Sequence, residues 1–259
     1  MSIECVDMTE KTYVYDGNNY SKEEIQKIAA LSDAEIKKPN ERVFHTLRML
    51  EGKEILDVGC ANGGLTKHIS LLGFKVHGVD TLEKSIEIAK EFNSTPNTTF
   101  EVRDVLKQQF PENSFDCITF TETIEHVENP AEYLREFHRI LRPGGCLILS
   151  TPNATSLKNL LYALSYRKRE KRIKVAKEIA LEPRHTGTQL EHIYNWDFPT
   201  LVRLLDRCGF DHVDNAFAGS VPIIVPFFGK KIQIIKANSN ILRNFESLNT
   251  THVIKSRKR

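Results

Sequence analysis

Residues 55–64 read ILDVGCANGG, three apolar residues and an aspartate running into a turn with glycines at 59, 63 and 64. A Gly-rich turn after a buried strand lets the backbone approach a bound molecule, and its neighbours decide which molecule. A dinucleotide-binding turn follows G-x-G-x-x-G, but here those places are held by Gly59, Ala61 and Gly64. A phosphate loop needs Lys-Ser or Lys-Thr after its last glycine, whereas Gly64 is followed by Leu65 and Thr66. Asp57, two residues before Gly59, argues further against phosphate. A carboxylate repels a pyrophosphate and attracts an ammonium group, directly or through water. The turn suits a cofactor with a cationic amino-acid end and no phosphate. S-adenosyl-L-methionine has that chemistry, and a nicotinamide dinucleotide does not.

Two further acids fall at expected strand ends. Asp80 ends the second strand, where an ionised carboxylate, acceptor-only, can take both hydroxyls of a ribose, with Thr81 beside it. Asp104 ends the third, where it or its neighbour Val105 can meet an adenine amino group. The expected cofactor set is then Asp57, Gly59, Cys60, Ala61 and Gly63, with Asp80, Thr81, Asp104, Val105 and Thr121 at the end of the fourth strand. Thr121, Glu122, Glu125 and His126 follow that strand. His126 is the first choice for a general base, because an unperturbed imidazole titrates near pH ~6.5. The plainer alternative is a histidine that caps a loop. Glu122 is expected to orient the amino-acid end of the cofactor or His126. No metal is expected, since the sequence shows no clustered ligands beyond these acids.

These side chains need strand ends to hold them. From Glu54 to Asn153 short apolar runs alternate with amphipathic ones: KEILDVG, FKVHGVD, TTFEVRD, FDCITFTE and GCLILSTPN as strands, and LTKHISLLG, SIEIAKEF and AEYLREFHRILRPGG as helices, the last closed by Pro143 and two glycines. That order predicts an α/β fold with a mostly parallel sheet covered on both faces. Further on, DFPTLVRLLDRCGF reads as a helix with Asp197 as N-cap, and DHVDNAF and HVIKSRKR read as strands. Residues 1–20 read as a loose arm. Ser21 to Glu24 form a capping box for a helix over about 21–31, and Pro39 opens another.

The chain has 259 residues with 40% hydrophobic and 27% charged content, enough for a sizeable core. A net charge of +2 gives no general pull toward nucleic acid. The first residues carry no signal-peptide pattern, and no apolar run reaches the ~20 residues of a membrane span. Five scattered cysteines without a CxxC pair fit a reducing cytoplasm.

The stretch from about 54 to 152 resembles the class I S-adenosylmethionine-dependent methyltransferases. ILDVGCANGG matches their first motif, VHGVD the second and FEVRDV the third. The region FDCITFTETIEHVENPAEYLREFHRILRPGGCLILSTPN resembles the branch that includes the ubiquinone-biosynthesis O-methyltransferases. The resemblance implies a Rossmann-like seven-stranded sheet with an antiparallel last strand, DHVDNAF and HVIKSRKR being the last two strands. It implies an arginine near the methionine carboxylate, for which Arg42 is the nearest candidate. It also places His185 and His192, in PRHTGTQLEHIYNW, on a substrate-facing segment, where either could supply the base. Residues 1–50 and an insertion at about 153–196 would form a lid over the methyl acceptor, with 51–259 as the methyltransferase domain.

The acceptor expected is a small molecule methylated on oxygen, with carbon and other nitrogen acceptors left open. The Asn/Asp-Pro-Pro-Tyr/Phe stretch of many amino-group methyltransferases is replaced here by Thr121-Glu122-Thr123-Ile124. Two rivals stay open: a methyltransferase acting on RNA or protein, and a protein that binds the cofactor without turnover. RKREKRIKVAK (167–177) could meet RNA or an acidic lipid surface, but lacks interleaved aromatics and reads better as a solvated helix face. SVPIIVPFFGKKIQII (220–235) could touch a membrane, yet its prolines favour a packed wall. The expected state is a monomer or homodimer.

Overall fold

The computed structural model describes residues 13–15, 18–20, 42–157, 159–160, 192–220, 223–227, 230–235 and 249–259. His185, the capping box at 21–24, the basic stretch 167–177 and most of the insertion lie outside the described residues.

A seven-stranded sheet organises the described chain. Its strands are β3 (Glu54–Val58), β4 (Lys75–Asp80), β5 (Thr98–Val102), β6 (Phe115–Thr121), β7 (Leu141–Pro152), β8 (Phe210–Ser220) and β11 (Asn249–Lys258). Their order is β5-β4-β3-β6-β7-β11-β8. The first five run parallel, and β11 lies antiparallel to both β7 and β8. From β3 the chain steps outward through β4 and β5, then returns to the other side of β3 with β6. Ligands of such sheets bind at that reversal, beyond the carboxyl ends of the strands.

Period-2 alternation sends neighbouring residues to opposite faces. Ile55, Cys117, Ile148 and Val253 pack on one side with Val43, Phe44, Leu47, Leu65 and Ile69. Those partners belong to helices α1 (Arg42–Arg48) and α2 (Gly64–Leu71). Leu56, Ile118, Leu147 and Ile254 pack on the other with Leu134, Phe137, Leu201 and Leu205. These belong to α4 (Pro130–Ile140) and α5 (Phe198–Arg207). The remaining described helix, α3 (Glu83–Phe92), places Ile86 and Ala89 against Cys60 and Phe100. Full burial of each such side chain is worth about 1.5–3 kcal/mol, so the sheet holds its strand ends firmly.

Three details differ from the sequence reading. The helix expected over 131–145 stops at Ile140, and RPGG joins β7 as a bulge between Leu141 and Cys146, opposite Phe115 and Cys117. Pro143 offers no N–H to continue a helix, and Gly144 sits at φ +74°. Asp116 secures the bulge by accepting from Arg142 as well as from the N–H groups of Lys53 and Glu54. In the arm, β1 (Tyr13–Tyr15) and β2 (Asn18–Tyr20) pair antiparallel; β-favouring tyrosines and Val14 flank Asp16-Gly17, a hairpin signal in the sequence. The apolar stretch after β8 forms its own antiparallel hairpin, β9 (Ile223–Phe227) with β10 (Lys230–Ile235), so β8 and β11 are joined by a long excursion.

Candidate cofactor and acceptor site

The turn after β3 is pinned to β4: the N–H groups of Gly59 and Cys60 both donate to the carbonyl of Val79, at 2.9 and 3.0 Å. Two glycines are required by shape. Gly59 has φ +72°, and a Cβ there would lie 2.5 Å from Thr123 Oγ1; Gly63 has φ +80°, and a Cβ would meet the Phe100 ring at 2.7 Å. Ala61 also takes a left-handed backbone, φ 46°. That conformation aims its N–H at Asp80 Oδ2, 2.9 Å away. Asp80 Oδ1 accepts from the N–H of Leu82, also at 2.9 Å. The Asp80 carboxylate is thus fixed by two backbone donors, and each oxygen keeps a further lone pair for a ligand hydroxyl. Thr81, next to it, is exposed. Leu82, two residues beyond β4, and Val102, the last residue of β5, expose apolar side chains (45% and 40%).

Asp104 turns its Oδ1 onto the N–H of Leu106 at 3.0 Å and pairs with Lys107 at 3.2 Å. Val105 is buried in the core, so any ligand contact there must come from its backbone.

Asp57 lies deeper than the sequence suggested. It is 1% exposed, and its oxygens accept from Thr66 Oγ1 at 2.6 Å and Thr119 Oγ1 at 2.7 Å. Burial pushes its pKa up to about 6, against the pull of the two hydroxyls and of the Arg42 charge. It therefore acts from beneath the turn, as a buried charge.

A second cluster follows β6. Thr121 is nearly buried, and its carbonyl accepts from Thr123 Oγ1 at 2.9 Å. Glu122 is forced to φ 49°. Its N–H donates to the Ser150 carbonyl at 2.9 Å, and Ser150 Oγ donates to its Oε1, also at 2.9 Å. Arg42 Nε lies 3.9 Å from the same oxygen. The Arg42 charge is felt by both Asp57 and Glu125, which sets it between the turn and the β6 end.

Glu125 is 1% exposed and accepts from Thr151 Oγ1 at 3.0 Å. Burial first, and the nearby Glu122 charge second, push its pKa up to about 8. His126 Nε2 is 4.0 Å from Glu125 Oε1. His192 meets the His126 ring edge-on, with centroids 4.9 Å apart. The carbonyl of Glu125 accepts from the N–H groups of Ile193 and Tyr194 at 2.8 and 3.1 Å, which ties the segment carrying His192 to the β6 end. Ligand atoms of Glu125, His126 and His192 all lie within 4.8 Å of one another. Sequence reasoning named His126 and His192 separately and expected no metal ligands to gather. It had no signal for the supporting Thr66, Thr119, Ser150 and Thr151, which act through register across strands.

A profile of the methyltransferase domain matches residues 25–215. The chain belongs to that family. A ubiquinone biosynthesis O-methyltransferase from Pseudomonas aeruginosa is 35% identical over 107 residues, 40% of this chain and 46% of the relative. The mitochondrial enzyme of that name from Rattus norvegicus is 36% identical over 118 residues, 43% of this chain and 34% of the relative. The chain thus spans less than half the length of these curated relatives. Among solved structures, methyltransferases described as S-adenosylmethionine-dependent from Methanosarcina mazei and Mesorhizobium loti share 21% identity. They have TM-scores of 0.56 and cover 84% and 82% of this chain and 97% and 95% of theirs. At that identity the likeness concerns the fold, and it matches the methyltransferase sheet described above.

Proposed function

We propose that this family member is an S-adenosylmethionine-dependent methyltransferase that methylates a hydroxyl oxygen of a small molecule. The observation that carries the reading is the convergence of Asp57, Asp80 and Asp104 at three successive strand ends around the turn 59–64, with Asp80 locked by Ala61 and Leu82.

When bound, S-adenosylmethionine supplies a methyl group already made electrophilic by its sulfonium. Asp80 and the backbone near Val105 hold the nucleoside end, while Gly59, Cys60, Gly63, Thr121 and the charges of Asp57 and Arg42 receive the amino-acid end. The chain's remaining task is to align the acceptor and shed water, and alignment alone can supply roughly 7–11 kcal/mol. The Glu125–His126–His192 group receives the acceptor and manages its proton, with Glu122 positioned by Ser150 at its border. Residues 1–50 and about 153–196 shape the acceptor pocket.

Among the described residues no helix is long and apolar enough to cross a membrane. The four described cysteines are free and buried, in keeping with a cytoplasmic setting. A monomer or homodimer is the expected state, which sedimentation decides. The reading is tested by calorimetric titration with S-adenosylmethionine, S-adenosylhomocysteine and NAD. It expects both adenosyl compounds to bind and NAD not to; tighter binding of NAD would overturn it.

A further inference from the structure

The turn at 59–64 is latched from outside by a residue 31 positions further along the chain than the one it grips. Asn93, the C-cap of α3, donates from Nδ2 to the carbonyl of Asn62 at 2.6 Å. Lys67, a buried residue of α2, aims it: Lys67 Nζ donates to Asn93 Oδ1 at 3.2 Å and to the Phe92 carbonyl at 2.7 Å. An ammonium group only donates and a carbonyl only accepts. The two partners therefore allow one orientation of the amide, with Oδ1 toward Lys67 and Nδ2 toward Asn62. The backbone N–H of Lys67 donates to the Gly63 carbonyl at 3.0 Å, which closes a ring of contacts around the turn.

That ring controls one peptide plane, the one between Asn62 and Gly63. Its N–H, on Gly63, donates to the Cys60 carbonyl at 2.9 Å, and its carbonyl, on Asn62, points the opposite way at Asn93. Gly63 holds φ +80°, and a glycine populates negative φ about as readily. Rotation of this plane would swing the Gly63 N–H off Cys60, and on the outer side it requires only that Asn62 give up Asn93. Cys60 and Gly63 belong to the part of the turn that serves the amino-acid end of the cofactor. Asp80, fixed by Ala61 and Leu82, serves the nucleoside end. We propose that Asn93, aimed by Lys67, is a positioning residue that keeps the Asn62–Gly63 peptide in the orientation that receives the amino-acid end of S-adenosylmethionine. The inference rests on the methyltransferase reading for its ligand. Without the latch the turn divides between receptive and rotated forms, and the apparent affinity falls by the fraction that stays receptive. The nucleoside end, held by other residues, is spared. Asn93 touches neither cofactor nor acceptor in this role and acts through the carbonyl of Asn62.

The test uses the full chain and two variants. Asn93→Ala removes the latch, and Asn93→Asp still accepts from Lys67 but sets a carboxylate oxygen against the Asn62 carbonyl. Each is titrated by calorimetry with S-adenosylmethionine, S-adenosylhomocysteine and methylthioadenosine, which keeps the nucleoside and lacks the amino-acid end. The expected loss of affinity is roughly tenfold for the first two ligands and less than about twofold for the third. In the ligand-free variants the Gly63 N–H should exchange with solvent about tenfold faster, followed by NMR. Ser94→Ala removes a hydroxyl that donates to the Lys90 carbonyl at the same helix end. It controls for simple fraying of α3 and should change neither reading. Equal losses for all three ligands, unchanged affinities in both variants, or unchanged Gly63 exchange would overturn the positioning role and leave the methyltransferase reading standing. A wild-type chain that binds neither S-adenosylmethionine nor S-adenosylhomocysteine would overturn the methyltransferase reading instead, while Gly63 exchange still decides whether Asn93 holds the peptide.

Discussion

The two halves of the site are built in opposite ways. The cofactor end is made from short pieces of chain at consecutive strand ends, and its key carboxylate, Asp80, is held by backbone N–H groups two and nineteen residues away. The acceptor end is assembled from the turn after β6, from Thr151 on β7 and from a segment beginning at His192, joined through the Glu125 carbonyl. The first end is set mostly by two consecutive βα units, with Thr119 of β6 reaching Asp57 beneath it, and the second draws on segments far apart in the chain. This division suits an enzyme family in which one cofactor serves many acceptors, because the acceptor end can change without disturbing the turn.

The largest expected effect breaks the cofactor end alone. In Asp80→Ala the N–H groups of Ala61 and Leu82 lose their acceptor, and a bound ribose loses its carboxylate. Hydrogen bonds to a charged group are worth about 1.5–3 kcal/mol each, so affinity for S-adenosylmethionine should fall by roughly 100-fold or more by calorimetry.

Gly59→Ala comes next, at a contact where the ends press on each other. The new Cβ would lie 2.5 Å from Thr123 Oγ1 and adopt φ +72°. Left-handed backbone costs a non-glycine residue roughly 1–3 kcal/mol, and overpacking a similar amount. Thermal melting should show a loss of about 2–5 kcal/mol together with weaker cofactor binding. Adding Thr123→Ala removes the two closest atoms and should recover the packing part while leaving the backbone part. No recovery would place the whole cost in the backbone.

That asymmetry also explains what the sequence could and could not disclose. Strand alternation located Asp57, Asp80 and Asp104 at their strand ends because each is fixed by its own short run of residues. The burial of Asp57 was not legible, since it depends on Thr119 arriving from β6 and Thr66 from α2. His126 and His192 could each be suspected, but their meeting required the register that brings Ile193 and Tyr194 onto Glu125. RPGG looked like the end of a helix because proline and glycine stop helices. The same residues also make a bulge in a strand, and only the pairing of β6 with β7 decides between them.

A pH titration sharpens the comparison from below the turn. Asp57, pushed up to about 6 by burial, is partly protonated below that pH. A cationic cofactor end favours the ionised form, so its affinity should rise with pH up to about 6 and level off above, with a slope of at most about tenfold per pH unit. The unliganded fold responds in the other direction. A carboxyl whose folded pKa is raised contributes stability that is fully present below its ordinary value of 3.8 and is lost as pH rises through about 6. Asp57→Asn should flatten both profiles. A cofactor-affinity profile still rising between pH 4 and 6 in that variant would assign the titration to another group.

The smallest effect probes the acceptor end from its far side. Asp197 caps α5, its Oδ1 accepting from the Thr200 N–H at 2.8 Å and its Oδ2 from the Thr200 hydroxyl at 2.9 Å. The residue before it, Trp196, is packed in the core, and its carbonyl accepts from the N–H of Ala154. The cap therefore anchors the segment that runs back to His192. Asp197→Ala should cost about 1 kcal/mol, a shift of roughly 2–4 °C in melting temperature for a chain of this size. The backbone N–H of Thr200 holds the Asp197 carboxyl below its ordinary range. Its contribution is accordingly present above that ordinary range and lost as pH falls through the lowered folded value, so variant and wild type should converge in acid. Because α5 packs in a different core cluster from α2, the helix that follows the turn at 59–64, S-adenosylmethionine affinity should stay the same. A loss of S-adenosylmethionine affinity as well would mean that the segment from 192 to 197 supports the whole crevice and that its two halves are not independent.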